Sequence, residues 1–311
     1  MKRFRNILVS LDTSAAVHPA LERAVDLATH SGAKLKLMDV VHEAQWPVSM
    51  LLPNVEHLLE LEREEKHQQL EAVAASVREK GVDVSVTTGL GKTSLELIHE
   101  VMRGDHDLVI RTARGVHSWR NGFFGTTSFR LLRKCPCPVW IVRPNPPQKL
   151  SHVLAAVDPT WHDEAHAELN HTIVSLANGL GELESCRVTI LHAWSIYGEH
   201  LLRSKMSDSE FADVQSQSQR AVEKVFNEFL AKYSLNSQSD GVRLIKGESA
   251  VVIPEFVREQ NVDVLVMGTV GRSGVSGLLM GNTCEHILNE VHCSVLALKP
   301  AGFHTPVTLP E

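Results

Sequence analysis

The chain has 311 residues, of which 43% are hydrophobic and 22% are charged, and its formal net charge is -6. That length favours two packed domains, while the charge balance argues against a nucleic-acid partner. No apolar run reaches the roughly 18 residues of a membrane span, and the start MKRFRNILVSLD does not resemble a signal peptide, so we expect a cytoplasmic protein without membrane insertion.

Strand-like runs alternate with helix-length segments in the first part of the chain. In order, the runs read NILVSL, KLKLMDVV, VDVSVTT, DLVI and PVWIV. Pro19 marks a helix start between the first two runs. Helical spacing creates two apolar faces, formed by Leu21, Ala24, Val25 and Ala28 and, later, by Leu70, Val73, Ala74 and Val77. Apolar strands alternating with helices predict a parallel sheet buried on both faces.

The second part of the chain repeats the first. Its runs read SHVLAAV, VTILHAW, VRLIKG, VDVLVMG and SVLALK. Residues 107–144 align without a gap with residues 263–300, so that Asp107 matches Asp263 and Cys137 matches Cys293. The sequence predicts two tandem doubly wound α/β domains, each with a five-stranded parallel sheet, over residues 1–144 and 150–311, joined by a proline-rich linker at 145–149.

Cysteine usage predicts reduced thiols. The five cysteines form an odd set without disulfide-framework spacing: Cys135, Cys137, Cys186, Cys284 and Cys293. No second cysteine pair completes a zinc site with Cys135 and Cys137, so we interpret both as packing residues.

A ligand site is expected at the carboxyl ends of the strands, where strand order reverses. In the second copy this rule selects Asp158, the strand end that contains Ala193, and the loop GTVGRSGVSGLLMGNTCE that begins at Gly268. Glycines let backbone N–H groups approach an anion, and a helix starting near Gly281 would direct its N-terminus at a phosphate.

These features resemble the universal stress protein family, and in particular its two-domain type found in Gram-negative bacteria. The resemblance covers nearly the whole chain. It implies an adenine-nucleotide alpha hydrolase-like fold, a stress-response role, and halves that pack through their last strands as an internal, pseudo-twofold dimer. It also leaves room for a homodimer of whole chains.

The family's nucleotide-binding members carry an aspartate after the first strand and a loop of Gly, two residues, Gly, nine residues, Gly, then Ser or Thr. The second copy has Asn282 in place of the hydroxyl residue, with Thr283 one position later. By this resemblance, and with ATP as the expected ligand, its candidate binding residues are Asp158, Ala193, Gly268, Gly271, Arg272, Gly281, Asn282 and Thr283.

The first copy departs from the motif elsewhere. Its equivalent residues are Asp12, Thr112, Gly115, Gly125 and Thr126. Because Thr112 stands where the first glycine lets a nucleotide approach the backbone, we expect the first copy to have lost binding.

Two alternatives compete with the nucleotide site. Asp12 and Asp158 could be hydrogen-bonded carboxylates that order their loops, with the glycines forming a structural turn. Apolar residues near the same edge could line a site for an apolar ligand, although covering the sheet is the favoured role: these are Trp46, Met50, Leu51, Leu52, Trp194, Ile196, Leu201 and Leu202.

Three sharper motifs are set aside. GLGKTS lacks the first glycine of a P-loop, so Thr93 or Ser94 is interpreted as a helix N-cap. His162 and His166 lack an assigned third metal ligand, so we predict no metal site. Four basic residues are interpreted as a solvated loop: Arg111, Arg114, His117 and Arg120.

The sequence thus favours a non-catalytic protein that binds a small ligand, either a nucleotide or an apolar molecule. An interaction scaffold ranks second. A weak ATPase ranks last, because no nucleophile and base pair is recognisable.

Overall fold

The computed structural model describes residues 4–42, 54–113, 124–161, 163–270 and 280–310. Within them, ten strands form one sheet: β1 (Asn6–Ser10), β2 (Lys34–Val41), β3 (Val84–Leu90), β4 (Leu108–Thr112), β5 (Val139–Val142), β6 (His152–Ala156), β7 (Arg187–Trp194), β8 (Val242–Lys246), β9 (Val264–Gly268) and β10 (Ser294–Leu298). Each strand overlaps one of the ten predicted runs, because continuous β-branched and aliphatic segments are buried on both faces of a parallel sheet.

Strand order is β3-β2-β1-β4-β5-β10-β9-β6-β7-β8. Pairing within each half is parallel, and the order reverses between β1 and β4 and again between β6 and β9. Both halves are therefore doubly wound, as predicted.

The seam between the halves is the antiparallel pair β5 and β10. Trp140 pairs with Leu296, which is its own counterpart in the sequence repeat. On either side, Val139 pairs with Ala297 and Ile141 with Val295, so the two halves exchange equivalent positions across a local twofold axis.

Nine helices cover the sheet in the described ranges: α1 (Pro19–Ser31), α2 (Val55–Arg78), α3 (Thr93–Gly104), α4 (Gly125–Lys134), α5 (Glu164–Glu184), α6 (Glu199–Lys205), α7 (Asp208–Ala231), α8 (Ser249–Glu259) and α9 (Asn282–Glu290). Helices α1, α2, α5 and α7 bury apolar residues on one face, and α3, α4, α8 and α9 do so on the other. Each core contains residues of both halves, so burial of apolar surface holds the halves together as one body.

A buried ion pair also joins the halves. Arg23 Nη1 of α1 lies 2.8 Å from Glu184 Oε1 of α5. Arg23 Nη2 donates to the Pro147 carbonyl at 2.6 Å, and Glu184 Oε2 accepts the Leu150 N–H at 3.0 Å. The segment predicted as a linker is thus fixed at both ends by one charge pair.

Local sequence explains three helix boundaries. Pro19 occupies the first turn of α1, where a missing N–H costs nothing, and Gly32 ends that helix with a left-handed φ of 72°. Ser207 and Glu210 form a capping box at the start of α7. Among the described residues, no helix combines the length and the apolar character needed to cross a membrane.

Candidate functional site

The strand-order reversal of the second half brings the predicted segments to one edge of the sheet. Strands β6 and β9 pair side by side, with Ala156 opposite Met267. The chain leaves β6 through the loop that contains Asp158, and it leaves β9 at Thr269. Because both strands point the same way, the two loops open onto a shared crevice.

The carboxylate of Asp158 orders its own loop. Its Oδ1 accepts hydrogen bonds from the N–H and the hydroxyl of Thr160, at 3.2 Å and 2.6 Å, and its Oδ2 accepts one from Trp161 Nε1 at 3.1 Å. The side-chain amide of Asn170 on α5 makes two hydrogen bonds with the Asp158 backbone. Its oxygen accepts from the Asp158 N–H, and its nitrogen donates to the Asp158 carbonyl. The geometry fits the structural alternative, in which the carboxylate orders its loop.

Asp12 does the same in the first half on a smaller scale. It is exposed, and its Oδ1 accepts hydrogen bonds from the N–H and hydroxyl of Ser14. No tryptophan contributes, so this loop is the less elaborate of the two.

Gly268 is required by packing inside the protein. A Cβ built on it would lie 2.9 Å from Cδ2 of Leu169 on α5, closer than real Cβ contacts allow. In the first half, Thr112 stands at the matching place, and its Oγ1 accepts the N–H of Ala20 on α1 at 3.2 Å. The residue at this position therefore matches its contact on the neighbouring helix: glycine lies against Leu169 in the second half, and threonine bonds to Ala20 in the first.

Helix α9 begins at the crevice of the second half. Its N-cap is Gly281, with φ -64° and ψ 144°, a residue that has no side chain with which to cap the helix. The Gly281 N–H donates to the Thr269 carbonyl at 3.3 Å, which holds the helix start beside the end of β9. Asn282 and Thr283 follow as exposed first-turn residues. Their backbone N–H groups belong to the set that an α-helix leaves without internal partners.

The corresponding helix start in the first half differs in backbone conformation. Gly125 opens α4 with a φ of 68°, a left-handed value that favours glycine, and Thr126 is exposed. Gly281 has an ordinary φ, so backbone conformation explains the glycine in the first half and not in the second.

Several predicted residues lie outside the described residues. These are Gly115, Gly271 and Arg272 of the glycine motifs, the basic residues Arg114, His117 and Arg120, the apolar residues Trp46, Met50, Leu51 and Leu52, and His162.

The apolar residues of the second half pack against the protein. Trp194 and Ile196 are buried with Phe211 of α7 in a cluster of their own. Leu201 is exposed, and Ala193 is buried inside β7, where it pairs with Ile245 of β8. Covering the sheet, the favoured role in the sequence analysis, is what Trp194 and Ile196 do.

A polar cluster that the sequence analysis missed lies at the edge of the first half. Asp39 of β2 is buried, and its Oδ2 accepts from Lys66 Nζ at 2.7 Å and from the Thr13 N–H at 2.9 Å. Burial raises the pKa of Asp39, but Lys66 and Thr13 outweigh it, so the net pKa is lowered. An aspartate inside the apolar run KLKLMDVV was the available signal.

The prediction that Arg111 lies in a solvated loop was wrong. Arg111 belongs to β4, and its Nη1 donates to Ser10 Oγ of β1 at 2.7 Å. The second half has Met267 opposite Ala156 at the matching pair, and His192 where the first half has Asp39. The two crevices therefore differ in charge.

The structure describes His166 and Thr93, which belong to two of the motifs that were set aside. His166 Nδ1 lies 2.7 Å from Asp163 Oδ1, and its ring stacks on Trp161 at 3.9 Å. In the described part of the chain, no cluster of three metal-ligating side chains occurs. The N-cap prediction for Thr93 or Ser94 was wrong, since α3 is capped at Lys92 without a side-chain bond and Thr93 is its first residue.

Two doubly wound α/β units are fused into one sheet, each with an aspartate after its first strand and a glycine-bearing segment after its fourth, and they define a tandem α/β protein. The sequence model of the universal stress protein family matches residues 3–143 and 150–299. The chain therefore belongs to the universal stress protein family and carries two tandem domains of it.

Relatives of similar length carry the name of the same family. "Universal stress protein E" of Escherichia coli K12 is 28% identical over 316 residues, covering 100% of this chain and 99% of the relative. The protein of that name from Photorhabdus laumondii is 27% identical over 312 residues, covering 99% and 98%.

Solved structures show the same fold. A Pseudomonas aeruginosa PAO1 protein of unknown function aligns with a TM-score of 0.75 at 24% identity, over 96% of this chain and 94% of that one. A universal stress protein from Archaeoglobus fulgidus aligns with a TM-score of 0.62 at 16% identity, over 96% and 99%.

Proposed function

We propose that the chain is a cytoplasmic, non-catalytic stress-response protein whose second half binds a small phosphate-bearing ligand, with ATP or another adenine nucleotide as the first candidate. One observation carries this proposal. Helix α9 begins without a side-chain cap at the crevice between β6 and β9, where doubly wound sheets bind ligands.

The ligand class follows from the groups that face the crevice. The first-turn N–H groups of α9, together with the positive end of the helix dipole, favour an anion. The exposed Asn282 amide adds a donor at the helix start, in the position that a hydroxyl residue occupies in nucleotide-binding members. Asp158 and Trp161 lie in the loop that follows β6, and a carboxylate and an indole suit a ribose and a base.

The second half is preferred over the first because of Thr112. Its hydroxyl accepts the Ala20 N–H at the start of α1, so the first half holds a β-branched side chain where the family's nucleotide-binding members have glycine.

Binding ranks above hydrolysis for a positive reason. Asp158 orders its own loop through Thr160 and Trp161, which favours a positioning role in ligand binding over that of a general base. The free thiol state of all five cysteines agrees with a reducing cytoplasm.

The test is titration calorimetry of the full chain with ATP, ADP and adenosine, supported by melting curves. We expect heat and a raised melting temperature with ATP and ADP and a smaller effect with adenosine, because the phosphates contact the helix start. If none of the three ligands gives heat or a raised melting temperature at millimolar concentration, the nucleotide proposal is contradicted.

A matched pair of variants locates the site. Gly271→Val should abolish ATP binding, because a side chain there would block the glycine loop, whereas Gly115→Val should leave it unchanged. Circular dichroism melting of both variants controls for folding. Equal losses in both contradict the assignment to the second half.

The β5–β10 seam favours a second function, that of an interaction scaffold. The last strands already pair inside one chain, so the surface that would join two single-domain copies is occupied internally. A scaffold should show no calorimetric response to nucleotides and should run as a monomer in light scattering, whereas a homodimer would need a different surface.

A further inference from the structure

Two thiols face each other where α4 leads into β5. Cys135 caps the C-terminal end of α4, and Cys137 follows after one proline. Their Sγ atoms are 3.6 Å apart, and both residues are buried, Cys135 completely and Cys137 to within 9%. Pro136 limits the backbone freedom between them, so the two sulfurs stay neighbours in the folded chain.

The antiparallel seam brings a cation from the other half to this pair. Lys299 follows β10, and β10 runs back along β5 so that its end lies beside the start of β5. Lys299 Nζ donates to the carbonyl of Leu132 in α4 at 3.0 Å, and the ring of Phe303 covers it at 5.0 Å.

Lys299 interacts electrostatically with three buried cysteines, Cys135, Cys137 and Cys284. Burial lowers the pKa of Lys299, since a desolvated ammonium is costly without a nearby negative charge. A thiolate is the negative charge that these neighbours can supply.

The two thiols of the pair respond in opposite directions. Burial raises the pKa of Cys135, but the hydrogen bond from Cys137 and the charge of Lys299 outweigh it and lower the net pKa. The pKa of Cys137 is raised well above its usual value by Cys135 and by burial. Within this hydrogen-bonded pair, Cys135 is therefore the more acidic of the two thiols.

The repeat supplies an internal comparison. The second half carries Val291 and Cys293 at the matching positions, so a single thiol remains there. Burial raises the pKa of Cys293 to about 12, and that of Cys284 also to about 12. The dithiol is therefore confined to the first half.

We propose that Cys135 and Cys137 form a redox-reactive dithiol that hydrogen peroxide converts reversibly to a disulfide, with Lys299 of the second half as its activating cation. This is a modification site separate from the proposed ligand crevice.

The chemistry balances with peroxide as the oxidant. The thiolate sulfur of one cysteine attacks a peroxide oxygen, an S–O bond forms, the O–O bond breaks, and hydroxide leaves and is protonated to water. The sulfur of the second cysteine, after losing its proton, attacks the sulfenic sulfur; an S–S bond forms, the S–O bond breaks, and a second water leaves. Two thiols are oxidised and one peroxide is reduced.

The experiment treats the reduced full chain with hydrogen peroxide, removes the peroxide, unfolds the chain in guanidinium so that every remaining thiol is alkylated with N-ethylmaleimide, and maps the protected cysteines by peptide mass spectrometry. We expect Cys135 and Cys137 to become protected together, the intact mass to fall by two hydrogens, and dithiothreitol to restore both thiols. Continued alkylation of both at millimolar peroxide overturns the proposal, as does irreversible oxidation of one without the other.

Variants separate chemistry from folding. Cys135→Val, which installs the residue found in the second half, should abolish protection of Cys137, while the matched control Cys293→Ala should leave the reaction unchanged. Cys137→Ser serves the same purpose if Cys135→Val melts early in circular dichroism.

The cation is tested by rate. Lys299→Met should slow disulfide formation on the order of tenfold, because removing an adjacent opposite charge raises a thiol pKa by at least about one unit. Lys299→Arg should retain the rate. An unchanged rate in Lys299→Met overturns the activating role of Lys299.

Discussion

Gly268 and Leu169 fit together because one of them lacks a side chain: a Cβ on Gly268 would lie 2.9 Å from Cδ2 of Leu169. The first half pairs a larger residue with a smaller one, Thr112 with Ala20, and adds a hydrogen bond between them. The first glycine of the ligand motif is thus also half of a packing pair.

This pair predicts a rescue. Gly268→Thr should destabilise the protein by about 1–3 kcal/mol, because its side chain overpacks against Leu169. Leu169→Ala should cost about 2–5 kcal/mol alone by leaving a cavity. The double variant places a threonine beside an alanine, as in the first half. Its loss of unfolding free energy should be smaller than the sum of the two single losses. Urea unfolding of the four proteins measures the coupling.

Additive losses in that cycle would show that the two residues do not share space. The matched control is Thr112→Gly in the first half. It removes the hydroxyl that accepts the Ala20 N–H and should cost about 1 kcal/mol without rescue by any change at Leu169.

The proposed ligand site predicts a charge effect at Asn282. Asn282→Asp is nearly isosteric and places a carboxylate beside the phosphate, so ATP affinity should fall about tenfold or more. The melting temperature without ligand should not fall, because an acidic residue in the first turn of a helix is favourable. Calorimetry measures the first effect and circular dichroism the second.

Thr126→Asp gives the control for that variant. It makes the equivalent change at the start of α4 in the first half and should leave ATP affinity unaltered. If both aspartates weaken binding equally, the effect is one of net charge and the site assignment is contradicted. Asn282→Ser, which restores the family's hydroxyl, should tighten binding.

Glu100 predicts a pH dependence of stability. It is buried on α3, where His106 and Lys36 lower its pKa from the usual 4.5 to about 2; Lys36 Nζ lies at 2.7 Å and His106 Nε2 at 3.8 Å. A depressed pKa stabilises the fold fully above the unfolded value, and this stabilisation is lost as pH falls from about 4.5 towards 2. Its size is roughly 3 kcal/mol.

Glu100→Gln removes that titrating group. The free energy of unfolding of the variant should be lower than that of the natural protein at pH 7, and the gap should narrow below pH 4. Denaturant unfolding at a series of pH values measures both. A gap that stays constant with pH would assign the effect to packing.

The buried pair that joins the halves predicts a large loss on breaking one side. Arg23→Met leaves Glu184 buried beside the linker without its cation and should cost about 3–5 kcal/mol. Adding Glu184→Gln should recover part of the loss, because the unpaired charge disappears. Chemical denaturation followed by tryptophan fluorescence checks both. A recovery of zero would show that the Arg23 bond to the Pro147 carbonyl, and not the ion pair, carries the effect.

Sequence patterns predicted the strands because most of them are rich in buried aliphatic and β-branched residues. PVWIV is a continuous apolar run and KLKLMDVV is mostly buried, and the structure places β5 and β2 on them. The repeat predicted that β10 would match β5. The start of α9 could also be predicted, since glycine followed by a helical pattern marks a helix boundary.

Contacts between distant residues could not be predicted in the same way. Gly268 looks like a ligand-facing glycine in the sequence, and its contact with Leu169 depends on how α5 crosses β9. Arg111 looked like a loop residue because charge usually indicates solvent, whereas Ser10 satisfies it at the end of β4. Such pairings join residues about a hundred positions apart, which local periodicity does not encode.

The self-matching register of the β5–β10 seam has a consequence for how such a protein can diversify. Two identical chains meeting at this seam would show every amino-acid change twice, once on each side of the axis. A single chain with both copies can change one side and keep the other, as it does with Cys135 and Val291, or with Thr112 and Gly268. The seam thus preserves a symmetric architecture while each half is free to acquire its own chemistry.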